Sequence, residues 1–431
     1  MAAGPPRRRG RAAAASLVSV APVAIAWAGS GLLAALLLPR LHRRRLAALV
    51  PLAAAIAALL SLGGGADLIA ASAPGGLALG RPGGGLVLLS ALAATVCLLL
   101  SPPPDSGEVL VIAACGTLSA VALASGSPLT WGLCFAAAFA LFGVRWVVSA
   151  PARSTLAAAR VTTLGAATLV AAAPFLPLDA AAVPPRAHLV GGLLAGGIAA
   201  GFALVPLGGW VSGGARLLRG ASLAPWALLL LPAMLLSCQP LQATLPVEAR
   251  LTFAAILLPA GAISAGWAAL RGLSVPDGER YPRVLLADLG LVAMGLATPL
   301  SGARLGSLLL MITHLCVAPL LMQDPGSASS RPRRLAWAAL SGVPPGPAFW
   351  GRFALVTALV TAFGGTLLIA TLPVAGAVLV IAARSAIAAT AATPTGSPGR
   401  AARFAAWVPP LAAVTVGLLP AAAVHALLGV G

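Results

Sequence analysis

The stretch "SGVPPGPAFWGRF", Ser341–Phe353, lies between two long apolar runs and decides the kind of fold this chain can adopt. Its prolines, Pro344, Pro345 and Pro347, interrupt a run that is otherwise long enough to cross a membrane, and Arg352 follows among apolar residues. Proline lacks a backbone N–H and breaks a helix. Backbone groups freed inside a bilayer have to be buried in protein or face a water-filled cavity. The stretch therefore predicts a discontinuous membrane helix with a charge near its break, inside a bundle of other helices.

The composition of the whole chain supports a membrane bundle. Of its 431 residues, 60% are hydrophobic and 8% are charged, and the mean hydropathy is +1.01. A soluble domain carries about 25% charged residues. The sequence therefore predicts an all-α, polytopic protein with 1–431 as a single transmembrane domain in the lipid bilayer. Its formal charge of +18 comes from arginines scattered between apolar runs, which is typical of membrane orientation signals and argues against nucleic-acid binding.

Cysteine and histidine, which hold most protein-bound transition metals, are few and dispersed. The five cysteines fall in five different apolar runs, and none has metal-ligand spacing. An unpaired cysteine in such a run behaves as a small apolar residue. The sequence has no cluster of acidic residues and no nucleophile beside a base. We therefore predict no cofactor, no metal site and no catalytic residue of the chain's own.

A helix needs about 20 mostly apolar residues to cross a bilayer. Applied along the chain, that length predicts fourteen spans, of which the twelfth is long and interrupted, preceded by a basic tail at 1–16. The predicted spans are Leu17–Leu38, Leu46–Leu62, Gly84–Leu100, Val109–Ser125, Leu129–Val148, Leu156–Phe175, Leu189–Pro206, Ala221–Gln239, Thr252–Leu270, Arg283–Leu300, Leu305–Met322, Arg334–Phe363, Leu367–Ala391 and Phe404–Leu428.

The arginines predict the orientation of these spans. Eighteen lie on the side reached after odd-numbered spans, against eight on the other side. Because positive residues favour the cytoplasmic side, the segments after odd-numbered spans are predicted to be cytoplasmic and both termini outside. The location that this predicts is the cell inner (plasma) membrane, crossed many times.

Two predicted spans contain proline or glycine near the middle of an apolar run. One is Ala221–Gln239, interrupted at Pro232, and the other is Arg334–Phe363, interrupted at Gly342–Pro347. Paired interruptions in the two halves of a chain are typical of transporters built from inverted repeats. Proline kinks are also common in membrane helices, so two unrelated kinks remain the alternative.

Four segments, taken together and in order, carry a family resemblance. They are "LVPLGGWV" (Leu204–Val211), "YPRVLLADLGLVAMGL" (Tyr281–Leu296), "LLMITHLCVAPLLM" (Leu309–Met322) and "LSGVPPGPAFWGRFALV" (Leu340–Val356). These segments resemble "LVPFHFWL", "DLKRLLAYSSISQMGL", "LLLLTHALFKALLFL" and "LAGLPPFAGFWGKFLLF" of the antiporter-like membrane subunits. Those subunits occur in NADH–quinone oxidoreductase (complex I), in Mrp-type cation/proton antiporters and in membrane-bound hydrogenases, and the length here is similar to the compact N- and M-types.

The resemblance implies an inverted-repeat antiporter-like fold of about 14 transmembrane helices, two of them discontinuous, with helix-bundle halves at 109–270 and 271–400. It implies a non-redox subunit of a quinone-reducing enzyme complex that translocates protons, with other membrane subunits as partners. In the family, the second broken helix carries a lysine or glutamate beside a hydrated path. Arg352 stands at that position here.

The chain departs from the family at most of the positions that carry protons there. The family glutamate of the fifth helix aligns near Ala136, the lysine of the first broken helix at Leu236, and a histidine at Gly208. His314 is retained, whereas the lysine four residues after it becomes Ala318. The lysine–glutamate pair of the family therefore has no counterpart.

Four ionisable residues remain as candidates for a proton path: Asp288, Arg283, His314 and Arg352. Histidine titrates at about pH 6.5 when unperturbed, which favours it as a relay, whereas arginine stays charged and supplies a fixed positive charge. Each residue has a structural alternative. Arg283, like Arg384, can extend from a helix end to the membrane surface, Asp288 can pair with Arg283 or another helix-end arginine, and His314 can be a hydrogen-bonded core residue.

Three functions are compatible with these features. The first is a membrane subunit of a proton-translocating NADH–quinone oxidoreductase-type complex that carries or couples proton transfer. The second is a structural subunit of such a complex with a degenerate, non-conducting channel, which the missing glutamate and lysine favour. The third is an independent secondary transporter of cations or small solutes, which the paired interruptions permit.

Overall fold

The computed structural model describes residues 18–19, 21–37, 47–62, 78–79, 81–102, 104–125, 127–149, 152–176, 184–208, 210–211, 220–323, 330–391 and 400–420. The predicted basic tail at 1–16 lies outside these residues. Apart from a two-residue antiparallel pairing of β1 (Val18–Ser19) with β2 (Ala78–Leu79), the regular structure described is helical. The all-α prediction is confirmed.

The helices of the first part of the chain coincide with the predicted spans to within a few residues, because each apolar run satisfies its own backbone only as a helix. They are α1 (Ala21–Leu37), α2 (Leu49–Leu62), α3 (Arg81–Leu100), α4 (Ser106–Ala124), α5 (Pro128–Ser149), α6 (Arg153–Ala172, extended by a 3₁₀ turn at Ala173–Phe175) and α7 (Pro184–Gly201).

The remaining helices cover the positions of both predicted interruptions. They are a 3₁₀ turn (Gly220–Leu223), a π-helical segment (Pro225–Leu230), α8 (Leu231–Thr244), α9 (Val247–Ser274), α10 (Asp277–Leu296), α11 (Ser301–Leu321), α12 (Ser330–Leu340), α13 (Pro347–Phe363), α14 (Leu367–Ala391) and α15 (Arg400–Leu418).

Among the described residues, seven helices are long and apolar enough to cross a membrane, and five shorter apolar helices accompany them. The chain is therefore a multi-pass membrane protein. The total of fourteen spans stays a prediction.

The predicted interruption at Pro232 is wrong in kind. The chain stays helical there, because α8 begins at Leu231 directly after the π-helical segment Pro225–Leu230. Pro232 cannot donate a backbone hydrogen bond to the preceding turn. A π-helical segment, with hydrogen bonds between residues five apart, directly precedes Pro232, and the chain stays helical through it.

Helix α11 lies at the centre of the second half of the bundle. It packs against α3, α10, α13 and α15, and 89% of the residues in its apolar stretch are buried. By contrast, only 28% of the residues in the apolar stretch of α14 are buried. The polar side chains in the middle of α11, Ser307, Thr313 and His314, are therefore placed in the protein interior.

Candidate functional site

The second discontinuous helix is interrupted between Leu340 and Pro347. Helix α12 ends at Leu340, and α13 begins with Pro347 at its first position, where the absence of an N–H costs nothing. Gly342 takes a positive φ of 80° in the connecting turn. The turn is closed by a 2.8 Å hydrogen bond from the Gly346 N–H to the Val343 carbonyl.

Arg352, on α13, ties this break to a buried carboxylate. Its Nε donates to Asp288 Oδ1 at 2.9 Å, and its Nη2 donates to Asp288 Oδ2 at 2.8 Å. Its Nη1 donates to the carbonyl of Leu340, the last residue of α12, at 2.9 Å. One guanidinium therefore forms a two-point ion pair and also closes the open end of a half-helix, a geometry that lysine cannot reproduce.

His314 extends the ion pair along α11. Its Nε2 lies 2.9 Å from Asp288 Oδ2, and its Nδ1 lies 3.4 Å from the Tyr281 hydroxyl. Because an ionised carboxylate only accepts hydrogen bonds, Nε2 carries a proton and donates it. In the neutral ring Nδ1 is then the acceptor for the Tyr281 O–H. We call Tyr281, Asp288, His314 and Arg352 the Asp288 cluster.

The Asp288 cluster is nearly inaccessible to solvent. The exposed fractions are 2% for Tyr281, 1% for Asp288, 3% for His314 and 5% for Arg352. Arg352 and Asp288 neutralise each other, so the cluster has no net charge while His314 is neutral. Breaking such a buried pair by removing one partner costs about 3–5 kcal/mol.

Small residues bring two of the cluster's three helices, α11 and α13, together. A Cβ at Gly306 of α11 would lie 2.6 Å from the Gly351 carbonyl oxygen, and a Cβ at Gly351 would lie 2.9 Å from the Leu310 side chain. The backbones of α11 and α13 therefore touch beside Arg352, as small residues permit in membrane helices. Gly342 is also constrained, since a Cβ there would lie 2.7 Å from Arg352 Nη1.

Three of the four candidates named from the sequence meet in this cluster. The interpretation that Asp288 pairs with Arg283 or another helix-end arginine is wrong, because Arg352 and His314 occupy both of its oxygens. Arg283 lies nearer the start of α10, against Gly272 of α9. Arg384 donates to the Leu273 carbonyl at 2.8 Å, which agrees with a helix-end role.

Tyr281 was missed by the sequence reasoning, although a signal for it exists. It precedes Asp288 by seven residues on α10. Residues seven apart lie two turns apart on nearly the same face of a helix. His314 spans that distance by using both of its ring nitrogens.

In the first half, the free end of a helix is bonded in a different way. Helix α7 ends at Gly201, five residues before the end of the predicted span Leu189–Pro206, and Phe202–Gly208 is non-helical. The indole Nε1 of Trp226 donates to the Gly201 carbonyl at 2.9 Å. The Val205 N–H donates to Ser264 Oγ at 2.7 Å. The open backbone is therefore satisfied by neutral groups.

Apolar side chains fill the region of the first half where the family resemblance predicts ionisable residues. Ala136 and Leu236 pack against the core as partly buried residues. A Cβ at Gly208 would collide with the Ala203 carbonyl oxygen, so no histidine fits there. The rings of Trp146 and Trp210 pack at 5.1 Å, and those of Trp210 and Trp226 at 5.2 Å.

Three solved membrane complexes contain chains of similar structure. A chain of respiratory complex I from Thermus thermophilus matches with a TM-score of 0.71 and 20% identity, over 95% of this chain and 100% of that one. A chain of the Mrp complex from Dietzia sp. DQ12-45-1b matches with a TM-score of 0.70 and 16% identity, over 96% and 52%. A chain of the archaeal membrane-bound sulfane sulfur reductase matches with a TM-score of 0.74 and 13% identity, over 94% and 96%.

The chain has the antiporter-like fold of complex I-type membrane subunits. This fold, with discontinuous helices, is the one expected from the four collinear segments. The chain spans about half the length of the Mrp subunit and the whole of the complex I subunit. No protein-family model and no curated protein matches the sequence. The antiporter-like fold is therefore established by structure at low sequence identity.

Proposed function

We propose that the chain is a membrane subunit of a proton-translocating complex of the NADH–quinone oxidoreductase type, where it carries or couples proton transfer. The Asp288 cluster is the observation that supports this most directly. It places one titratable imidazole between a tyrosine hydroxyl and a carboxylate, at the centre of an antiporter-like fold. Structurally similar chains belong to complex I, an Mrp complex and a respiratory membrane complex, so other membrane subunits are the proposed partners.

His314 is the proposed proton carrier in this cluster. A proton taken up at Nδ1 turns the Tyr281 hydroxyl from donor to acceptor and makes the ring a cation, because both nitrogens of an imidazolium donate. The cluster then has a net charge of +1 in a region that is nearly inaccessible to solvent. Such a charge is costly in a low-dielectric interior. Uptake of a proton therefore favours a rearrangement of the cluster that stabilises the added charge, and release of the proton favours the return.

Arg352 is the proposed coupling element. It remains charged at physiological pH and shares Asp288 Oδ2 with His314. A positive imidazolium competes with Arg352 for that oxygen. Arg352 also donates to the Leu340 carbonyl, so a shift of its guanidinium would change the hydrogen bonding at the break between α12 and α13. Protonation of His314 and the geometry of the broken helix are thereby coupled.

A second function is favoured by the first half of the chain. The packed indoles of Trp146, Trp210 and Trp226 and the lack of room at Gly208 favour a half that does not conduct. A structural subunit that retains only one proton-responsive cluster would have this asymmetry. The plasma membrane, with both termini outside, is the proposed location in either case.

Vesicles of native membrane containing the complex test the proton-coupled function. Replacing His314→Gln removes the titrating group while keeping a hydrogen-bonding side chain. We expect proton pumping by the complex to fall, with assembly of the complex unchanged. His188→Gln is the matched control, because His188 lies outside the cluster and binds Thr252 Oγ1 at 2.7 Å.

Unchanged pumping in His314→Gln would contradict the proton-coupled function and leave the structural one. Purification of the chain as a homo-oligomer without partner subunits would contradict both and favour an independent transporter.

A further inference from the structure

Helix α12 is bonded by an arginine at each of its ends. At its last residue, the Leu340 carbonyl accepts from Arg352 at 2.9 Å. Near its start, Arg333 reaches across to the end of α11, where its Nη1 donates to the Gln323 carbonyl at 3.2 Å and lies 3.5 Å from the Leu320 carbonyl. The proposed proton-coupled function uses the first of these contacts and gives the second no role.

Arg333 is enclosed by protein, unlike the arginines beside it. Its exposed fraction is 4%, whereas Arg331 and Arg334 of the same turn are exposed. Asp277, at the start of α10, is a carboxylate close enough to act on the charge of Arg333. Because a buried guanidinium costs free energy unless it is bonded, the position of Arg333 indicates a contact inside the bundle and not an extension to the membrane surface.

The end of α11 that Arg333 contacts is itself bonded to α3. The Gln323 Nε2 donates to Ser101 Oγ, directly after α3, at 3.0 Å and to the Pro319 carbonyl at 3.1 Å. Both Gln323 and Ser101 are buried. The last carbonyls of a helix have no partner within the helix, so donors are needed here, and Gln323 and Arg333 supply them. Arg333 therefore fixes the start of α12 to a part of the bundle that is held on its other side.

Arg333 and Leu340 lie on the same face of α12. Seven residues separate them, which is two helical turns and about 10 Å along the axis. Because the backbone hydrogen bonds of a helix fix its rise, the place of the Arg333 end determines the place of the Leu340 carbonyl. The contact at Arg333 therefore acts together with the packing of α12 against α11, α14 and α15.

The place of the Leu340 carbonyl matters because Arg352 divides its donors between two acceptors. Its Nη1 bonds this carbonyl, whereas its Nε and Nη2 bond Asp288. If the carbonyl moves away, the charge of Arg352 is compensated by Asp288 alone. A second positive charge on His314, which bonds the same carboxylate, is then less favourable.

The other titratable groups on this side of His314 carry no charge near neutral pH. The Tyr281 hydroxyl of α10 lies against its Nδ1, and the Cys97 thiol of α3 lies close enough to act on Tyr281. Tyrosine and cysteine ordinarily titrate well above pH 7. The balance of charge at His314 therefore depends on Asp288 and Arg352.

We propose that Arg333 is a positioning residue for the Asp288 cluster. By fixing α12 to the end of α11 it places the Leu340 carbonyl, and so determines how readily His314 takes up a proton. This rests on the proposed function, and it adds a residue that tunes the cluster from the far end of α12 without touching it.

The pH profile of proton pumping in native-membrane vesicles tests the proposal. In Arg333→Gln we expect the midpoint of the profile to move to lower pH by about 0.5 unit, which is about a threefold loss of proton affinity. Arg333→Lys, which keeps the charge but not the fork of donors, should shift the midpoint less. Arg334→Gln is the matched control, since Arg334 is exposed on the same turn, and its profile should match that of the wild type.

An unchanged midpoint in Arg333→Gln, with pumping reduced equally at every pH, would show that Arg333 only caps α11 and would overturn the proposal. An equal shift in Arg334→Gln would also overturn it. If Arg333→Gln does not assemble, Ser101→Ala removes the group that bonds the Gln323 side chain. It should give a smaller shift of the same sign, and no shift would overturn the proposal.

Hydrogen exchange of the purified complex gives a measurement that does not depend on pumping. Exchange of the Ser341–Val343 amides should rise severalfold in Arg333→Gln, because the turn after Leu340 loses the support of α12, and should stay unchanged in Arg334→Gln. Unchanged exchange in Arg333→Gln would contradict the proposal. If pumping depends on His314 but neither measurement depends on Arg333, this proposal alone fails, whereas pumping that does not depend on His314 removes the proposed function.

Discussion

Each half of this chain has a helix that ends inside the bundle. A different kind of donor binds the free backbone carbonyl at each of these two ends. In the first half the Gly201 carbonyl accepts from the neutral indole of Trp226, and in the second half the Leu340 carbonyl accepts from the charged Arg352. Both bonds measure 2.9 Å. The fold therefore needs a donor at each open end, and it does not need a charge.

The charge in the second half calls for a separate explanation. A buried ion pair contributes little net stability and is often replaced by apolar residues without loss. In the first half, apolar or small residues, Ala136, Leu236 and Gly208, stand at the positions where the family resemblance predicts ionisable residues. Stability of the fold alone therefore does not explain why Asp288, His314 and Arg352 occur together, which supports the proposed proton-coupled function.

The largest expected effect is the difference in stability between variants of the two donors, Arg352 and Trp226. Arg352→Leu leaves Asp288 buried without its counter-ion, so the free energy of unfolding should fall by about 3–5 kcal/mol. Trp226→Phe removes one neutral hydrogen bond and should cost about 0.5–1.5 kcal/mol. Denaturant titration of both variants in detergent micelles measures the difference.

A double variant sharpens this comparison. Asp288→Asn combined with Arg352→Leu removes both charges and should recover part of the lost stability. Equal costs for Arg352→Leu and Trp226→Phe would show that the second break is held by an ordinary hydrogen bond.

The next effect concerns the backbone contact that places Arg352. Gly351→Ala adds a Cβ 2.9 Å from Leu310 and 3.1 Å from the Gly306 carbonyl, so α11 and α13 must separate. Overpacking of this kind costs about 1–3 kcal/mol. Gly376→Ala on α14 is the control, because nothing lies within 4 Å of its added Cβ. Thermal unfolding that is equal in the two variants would contradict the close packing of α11 and α13.

A smaller effect is expected at the N-terminus of α4. Asp105 caps α4 by accepting from the Glu108 N–H at 2.7 Å and pairs with Arg145. Partial burial acts to raise the pKa of Asp105, but the Glu108 N–H and Arg145 outweigh it and lower the pKa below its usual value. Asp105→Ala should cost about 1 kcal/mol, as loss of a helix cap does.

The sign of its pH dependence follows from that lowered pKa. The contribution of Asp105 to stability is present above the usual aspartate pKa and is lost as the pH falls through the lowered, folded-state value. The difference in unfolding temperature between the wild type and Asp105→Ala should therefore shrink in acid. A difference that grows in acid would contradict the pairing.

The smallest effect on stability, with a larger one on function, is expected at Tyr281. Its hydroxyl makes a long hydrogen bond of 3.4 Å to His314, so Tyr281→Phe should cost about 1 kcal/mol or less. If the hydroxyl takes part in delivering the proton, pumping should fall by more than this loss of stability explains. Trp131→Phe, in the first half, is the control and should leave pumping unchanged. Equal pumping in Tyr281→Phe and Trp131→Phe would remove Tyr281 from the path.

The span boundaries and the second break could be predicted because they depend on local sequence. An apolar run of spanning length can satisfy its backbone only as a helix, and the prolines at 344, 345 and 347 leave no continuous helix through Ser341–Gly346. The break at Phe202–Gly208 could not be located in the same way. Pro206 and Gly208 mark where a helix is disfavoured, but the helix already ends at Gly201, and the bonds of Trp226 and Ser264 to the freed backbone are tertiary contacts.

At Pro232 the sequence predicted an interruption that the structure does not have. A proline in an apolar run indicates a kink, but whether the chain unwinds depends on the turn before it. Here the turn before Pro232 is a π-helical segment, and the helix continues without a gap. The sequence alone does not distinguish these two outcomes.

Three of the four members of the Asp288 cluster could be named from the sequence, but their partnership could not. Asp288, His314 and Arg352 lie on three different helices, α10, α11 and α13. Their meeting depends on the close approach at Gly306 and Gly351, which is a property of the packed bundle. A neighbouring arginine such as Arg283 is the nearer partner in sequence and still does not occupy the carboxylate.

A cryo-EM map of the assembly isolated from native membranes would show the broken helix, the Asp288 cluster and the proposed partner subunits together. We expect a chain seated among other membrane subunits, with α12 and α13 separated by a turn at Ser341–Gly346 and the Arg352 side chain joined to Asp288. A continuous helix across 330–363, or an Arg352 side chain directed toward lipid, would contradict it.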